Sequence, residues 1–491
     1  MAERRQPLLS GSYGAKVAVV LLALCPNIVI TTGIGLMTPA LVASLHGSQL
    51  GVELASGLSN AGYAAGAVAA VALNQKLPPR RLLLAYEVTF VIGSVLCALA
   101  PDMVWFGIGR VAQGAATGLL LVAALPPLVT RFRADKLPTT AAVINVGLFG
   151  AVTLGPILGG LAAGPSAWRT YFWILAALGA LGLGLEWLAV DHRDPLNADR
   201  PTDWAALALA GLGTCLPFFG VSELVAQPLL SAPVLAPLVV GLASLVGLIV
   251  LEFHRAQPLM PVRLLHTTLP EAGILGAMAA GAIYVAIVEL IQLSLTDVAH
   301  LSPVGTGFLF WPGLVGIGLA AVAFRQLFPT RYVPLLVLLG MLVLAGAALL
   351  LGLAGRHPDA VEIMTAAGAL GFGAGAAVSP GLFLAGLSLP SAQIGTVFAM
   401  VELLRSEAAF LVGPVLLYLA MSEGSQGQAL AGGVSVSVWL ALGLALAATA
   451  AMVSLFLLGG ARLERPQLRD WLESGEEPAL DSPPTAQVLR D

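Results

Sequence analysis

Almost from end to end, the chain is a succession of long apolar stretches separated by short polar loops. About 20 consecutive apolar residues cross a bilayer as a helix, and only helices or closed barrels satisfy their own backbone groups there. The composition leaves no soluble alternative. Charged residues make up only 10% of the 491 and apolar ones 58%, where a soluble domain carries about a quarter charged. The expected fold is an all-α polytopic membrane protein. Fourteen spans are read at 17–43, 50–73, 82–100, 104–130, 139–163, 170–190, 203–224, 230–252, 271–296, 304–324, 333–354, 360–386, 392–420 and 433–458. The first is too long for a signal-peptide core of about 7–15 residues and lacks a cleavage site.

Basic residues orient the spans, because they concentrate on the cytoplasmic side. With the N-terminus inside, nineteen of the 23 lysines and arginines fall on inner ends and loops, including Lys16, Lys76, Arg80, Arg81 and Arg131. The outer side holds only Arg169 and Arg356, and Arg110 and Arg405 lie within spans. Both termini are therefore expected in the cytoplasm, with the chain multi-pass in the cell membrane.

Two helical segments carry the most informative interruptions. One holds Arg110-Val111-Ala112-Gln113-Gly114, and an arginine that deep is costly unless it faces the bundle interior or water. The other holds Gly147, Gly155, Pro156, Gly159 and Gly160; small residues at helical spacing let helices approach closely, and Pro156 bends the helix. The segment Leu154-Gly155-Pro156-Ile157-Leu158 is echoed by Val412-Gly413-Pro414-Val415-Leu416. That echo implies a six-helix unit repeated after an insertion. The expected division is a six-helix bundle over 1–195, an inserted helix pair and loop over 196–262, a second six-helix bundle over 263–459, and a disordered cytoplasmic tail over 460–491.

The Arg110-x-x-Gln113-Gly114 pattern resembles the fourth-helix motif of the major facilitator superfamily. Gly147-x7-Gly155-Pro156-x2-Gly159-Gly160 resembles the fifth-helix motif that accompanies proton-coupled exporters in that family. The fourteen-span pattern narrows the resemblance to the drug:proton antiporter branch with fourteen transmembrane helices. Trp168-Arg169, Asp203-Trp204 and Gln257-Pro258-Leu259 agree with it. Two departures stand out: Ile30 occupies the place of the usual first-helix aspartate, and the loop Asn74-Gln75-Lys76-Leu77-Pro78-Pro79-Arg80-Arg81 keeps its basic residues but lacks the usual acid and glycine.

A proton-coupled transporter needs a carboxylate inside the bundle that changes protonation. Glu402, near mid-membrane with Arg405 one turn on, reads either as that group or as the counter-charge that makes burial of Arg405 tolerable. Glu289, sharing a face with Gln292, is the second candidate for coupling or for an outer vestibule. The resemblance implies a coupling role for Arg110; the alternative is a structural arginine satisfied by Gln113. Asn27, Thr32, Gln113, Asn145 and Gln292 are read as cavity residues, with inter-helix hydrogen bonding the alternative for the asparagines. Glu87, Glu186, Glu223 and Glu362 lie nearer span ends and read as solvated. The Gly155-Pro156 segment is expected to pack on span ten at Pro312, Gly313 and Gly316.

No catalytic constellation is read and no enzyme activity is expected. There is no phosphate-binding GxxxxGK[ST], no metal-ligand cluster among the six histidines, and no basic aromatic-rich patch for nucleic acid. No cofactor or metal is implied. Partners are a small-molecule substrate, protons and the lipid bilayer; the sequence leaves the oligomeric state open. The function read is proton-coupled efflux of amphipathic small molecules by alternating access. The alternatives are a facilitator or proton symporter for one metabolite, and a non-transporting sensor or scaffold.

Overall fold

The computed structural model describes residues 6–195, 201–256, 258–422, 424 and 426–485. Arg4, Arg5, Arg200, Gln257 and Arg490, which entered the sequence reading, lie outside them. The helices run α1 Tyr13–Ile28, α2 Ile30–Leu45, α3 Gln49–Lys76, α4 Pro79–Leu99, α5 Met103–Thr130, α6 Leu137–Leu161 and α7 Ala167–Ala189. They continue with α8 Trp204–Ser222, α9 Ala232–His254, α10 Val262–Leu265, α11 Thr268–Leu293, α12 Pro303–Phe308 and α13 Trp311–Leu327. The last are α14 Val333–Ala354, α15 Ala360–Leu387, α16 Ile394–Ser422, α17 Gly427–Leu458 and α18 Leu468–Ser474.

Local chemistry sets many of the helix starts. Ser12, Ser48, Asp102, Asp203 and Ser302 each accept hydrogen bonds from the first-turn amides of the helix they precede, which satisfies donors that have no intrahelical partner. Asp359 and Glu362 form a reciprocal cap at the start of α15. Glu362 is thus a capping residue.

Among the described residues, twelve helical segments are long and apolar enough to cross a membrane, fewer than the fourteen spans expected. The shortfall lies at the start. The first expected span is two 16-residue helices that meet at Val29, just after Pro26; proline cannot donate to the helical ladder. The second, α3, is 28 residues long, but Ser56, Gly57, Ser59, Asn60, Gly62 and Gly66 dilute its hydropathy.

α1–α7 pack on one another, as do α11–α17. α8 pairs with α9 and leans on α3 and α16. The halves meet along α3–α16, α6–α12, α6–α13 and α6–α15. Leucines, valines and tryptophans such as Leu353, Val104 and Trp204 stay exposed on the outside, as lipid-facing positions do.

The tail expected to be disordered is folded over its described part. Trp471 of α18 is buried and donates from Nε1 to the Leu389 carbonyl at 2.8 Å. The amides of Ala479 and Leu480 donate to the Leu387 carbonyl, and the Thr268 amide donates to Pro483. The ends of α15 and the start of α11 have backbone groups without intrahelical partners, and the polar tail supplies them.

Candidate functional site

A chamber lies between the halves. Asn27, Asn60 and Tyr63 reach it from the first half, and Tyr284, Glu402 and Arg405 from the second; Phe149, Val152 and Phe410 add apolar wall. The wall combines aromatic and aliphatic surface with a few convergent polar groups, the usual make-up of a small-molecule site.

Glu402 is the only carboxylate on that wall among the described residues. Its Oε2 accepts from Arg405 Nη2 at 2.6 Å and Nε at 2.9 Å, one turn along α16, and from the Tyr63 hydroxyl of α3 at 3.1 Å. A carboxylate left alone in such a place would be costly, and this one is paired and hydrogen-bonded. Because Tyr63 belongs to the other half, the cluster is also a clasp between halves. Tyr63 was not singled out in the sequence; it lies three residues after Asn60, on the same helical face.

Arg110 sits behind the wall, 2% exposed. Its Nη1 donates to Asn27 Oδ1 at 3.2 Å and Gln113 Oε1 at 2.8 Å, and its Nε has no partner. Gln113 in turn donates to Ser94. Arg110 thereby fixes Asn27 with its amide nitrogen as the free donor.

Four residues read as cavity-lining are instead buried ties between helices. Gln113 belongs to the Arg110 network. Asn145 Nδ2 donates to the Gly375 carbonyl at 2.9 Å, and Gln292 Nε2 to the Thr32 carbonyl at 2.8 Å, both across the halves. The Thr32 hydroxyl donates to the Val152 carbonyl. Thr153 and Tyr284 add a hydroxyl–hydroxyl bond of 2.9 Å between α6 and α11. The sequence shows these residues to be within spans, but not how each helix is rotated.

The glycine motif makes two contacts. A Cβ at Gly155 would lie 2.1 Å from Thr32 Oγ1, and one at Gly159 would lie 2.2 Å from the Gly33 carbonyl oxygen, so the motif lets α2 press on α6. Gly147 gives room to Leu21. Across the halves, Gly160 abuts the Pro303 carbonyl, and Gly307 abuts that of Pro156. Span ten is thus met through both α12 and α13. Of the residues expected there, Gly313 touches Thr153, whereas Gly316 packs on Gly368 and Phe372 of α15.

Acids outside the chamber also depart from expectation. Glu87 and Glu186 are fully buried between α4 and α7 rather than solvated, with no hydrogen-bond partner for any of their four oxygens. Glu289 lies in α11 against Gly413 of α16, its Oε2 buried without a partner. Glu53 of α3, unremarked in the sequence, is close enough for its charge to act on Glu289.

A polytopic helical bundle whose two halves enclose a partly polar central chamber has the build of a membrane transporter for small molecules. Residues 20–414 match the Major Facilitator Superfamily, and the chain belongs to that family. It is 27% identical over 327 residues to the uncharacterized MFS-type transporter YubD of Bacillus subtilis (strain 168), covering 64% of each chain. It is 28% identical to the multidrug resistance protein B homolog of Mycobacterium tuberculosis (strain ATCC 25618 / H37Rv), covering 70% of this chain and 62% of that one. The matches thus span a little under two thirds of these relatives' own length. The drug efflux pump JefA of the same strain is 26% identical, covering 75% of this chain and 72% of its own. Among solved structures, the human organic anion transporter MFSD10 (TETRAN) superposes with a TM-score of 0.59 at 16% identity, covering 88% of this chain and 99% of that one. A peptide transporter POT in complex with sulfate superposes with a TM-score of 0.61 at 14% identity, covering 89% and 94%. At these identities the structural likeness concerns the fold alone.

Proposed function

We propose that this transporter exports amphipathic small molecules in exchange for protons, with Glu402 as the coupling acid. The observation that carries the reading is the Tyr63–Glu402–Arg405 cluster on the chamber wall. A proton or a positively polarised substrate group competes with Arg405 and Tyr63 for the same carboxylate oxygen. Occupancy of Glu402 therefore alters a bond between the halves, which is the requirement for coupling it to alternating access. Efflux as the direction is supported by the names of the relatives and by the Gly155-Pro156 segment, whose contacts with α2 and α12 suit an outer seal. Arg110 acts on this reading through Asn27, holding its free amide donor towards the chamber.

The same reading gives fourteen crossings. α1 and α2 together make one, α3 makes another, and both termini are cytoplasmic at the cell membrane. A proton symporter for one metabolite is the second reading, favoured by an Arg110 whose partners are amides rather than a carboxylate.

The test uses full-length protein in liposomes holding a pH-sensitive dye, under an imposed pH gradient. Cationic, neutral and anionic amphiphiles are added to wild type and Glu402→Gln. Substrate-driven proton counterflow that disappears in Glu402→Gln supports the proposal. Protons moving in the same direction as the substrate favour symport, and counterflow unchanged in the variant removes Glu402 from the role.

A further inference from the structure

The two halves carry the same glycine–proline seat, filled by different chemistry. Gly155 and Gly413 are 258 residues apart, and Thr32 and Glu289, which fill the space these glycines leave, are 257 apart. A Cβ at Gly155 would meet Thr32 Oγ1 at 2.1 Å; one at Gly413 would meet Glu289 Oε2 at 2.6 Å. Each pair joins the first and fifth crossings of its half, α2 with α6 and α11 with α16.

The proline explains what the seat is for. A proline inside a helix has no N–H, so the carbonyl four residues earlier loses its ladder hydrogen bond. Pro156 orphans the Val152 carbonyl, and this is the oxygen to which the Thr32 hydroxyl donates. By the same arithmetic Pro414 orphans the Phe410 carbonyl, three residues before Gly413, the glycine against which Glu289 is seated. A threonine always has a hydrogen to give. A carboxylate has none, and Glu289 Oε2 is buried without a partner.

We propose that Glu289 is a second proton-binding group of the transporter, and that its proton is held in a hydrogen bond to the Phe410 carbonyl freed by Pro414. Loss of the proton, to water reaching this partly exposed residue, sets a charged oxygen against an orphan carbonyl and loosens α11 from α16. Phe410 lines the chamber, so the proton at this seat is felt where substrate sits. The inference rests on the proton-coupled reading for its role in transport, but not for the bond itself.

The charged and titratable surroundings are few. Glu53 of α3 is close enough for its charge to act on Glu289, and α11 itself carries Glu271 and Tyr284. α16 carries Glu402, Arg405, Glu407 and Tyr418, with Arg405 beside Gly281 two turns before Glu289. Asp297 follows just beyond α11. α2, α14 and α17 bring no ionisable side chain, and α15 brings only its capping Glu362. No lysine or arginine lies in this set except Arg405, which is committed to Glu402.

Infrared difference spectroscopy of the full-length protein, recorded between acidic and alkaline buffer without substrate, tests the bond directly. A protonated-carboxyl band is expected in wild type. It should disappear in Glu289→Gln, whose amide still donates to the seat and preserves folding. In Pro414→Ala the restored N–H reclaims the Phe410 carbonyl, so the band should move to the frequency of a weaker hydrogen bond. A band that persists in Glu289→Gln, or one that stays put in Pro414→Ala, overturns the proposal. These readings need no transport. A Glu289 band together with absent substrate-driven proton flux leaves the bond standing and refutes the exporter reading, and the reverse result does the opposite.

Discussion

Arg110 and Arg405 are the two arginines within the spans, one in each half, and their settings differ. Arg110 is answered by the oxygens of two neutral amides. Arg405 is answered by a carboxylate on the chamber wall, which a tyrosine of the opposite half also holds. The glycine–proline seats repeat the contrast, with a threonine hydroxyl in the first half and a carboxyl in the second. In both comparisons the first half is satisfied by groups that do not titrate, and the second by groups that do. On the proposed reading, the chemistry that changes in these two pairs of sites belongs to the second half.

Substitutions at the arginines should expose that asymmetry most strongly. Arg405→Ala leaves Glu402 as a buried charge without its cation, and breaking a buried pair this way costs about 3–5 kcal/mol. Adding Glu402→Gln should restore most of that loss. Arg110→Met leaves only neutral amides unpaired, at roughly 1–3 kcal/mol, and Glu402→Gln should not rescue it. Thermal unfolding of the four variants in detergent checks both. Equal losses, or rescue of both, would erase the distinction between the halves.

The two seats offer a second comparison. Gly155→Ala would press a methyl on Thr32 Oγ1 and on the Val29 backbone carbonyl at 2.7 Å, which cannot move aside. A cost of about 1–3 kcal/mol follows for overpacking. At Gly413 the nearest atom is the end of the Glu289 side chain, so Gly413→Ala should cost less in unfolding and more in proton exchange. The smallest effect is expected from Tyr63→Phe, which removes one hydrogen bond to Glu402 while the two from Arg405 remain. It should weaken coupling without abolishing it, seen as a reduced substrate-driven proton flux in liposomes.

The helical membrane architecture was legible because span length and low charge are one-dimensional signals. The grouping of Glu402 with Arg405 was legible too, since three residues on a helix share a face. What was hidden depends on helix rotation and on distant partners. Tyr63 meets Glu402 across 339 residues. Glu87 and Glu186 lie near span ends, yet their helices turn them inward. The break at Val29 left a trace in Pro26, but the continuous apolar run masked it. The tail reads as disordered from its polar, proline-rich composition. Its fixed course comes from unpaired backbone groups at the ends of α11 and α15, which no local pattern reveals.

The central claim is that substrate and proton compete for Glu402. Purified protein in weakly buffered detergent solution, titrated to saturation with a transported amphiphile, reports it through a pH indicator. At a pH acidic enough for Glu402 to carry a proton before binding, wild type should release protons on binding, and Glu402→Gln should bind the same compound with that release lost. Undiminished release from Glu402→Gln, or uptake of protons by wild type, would contradict the account.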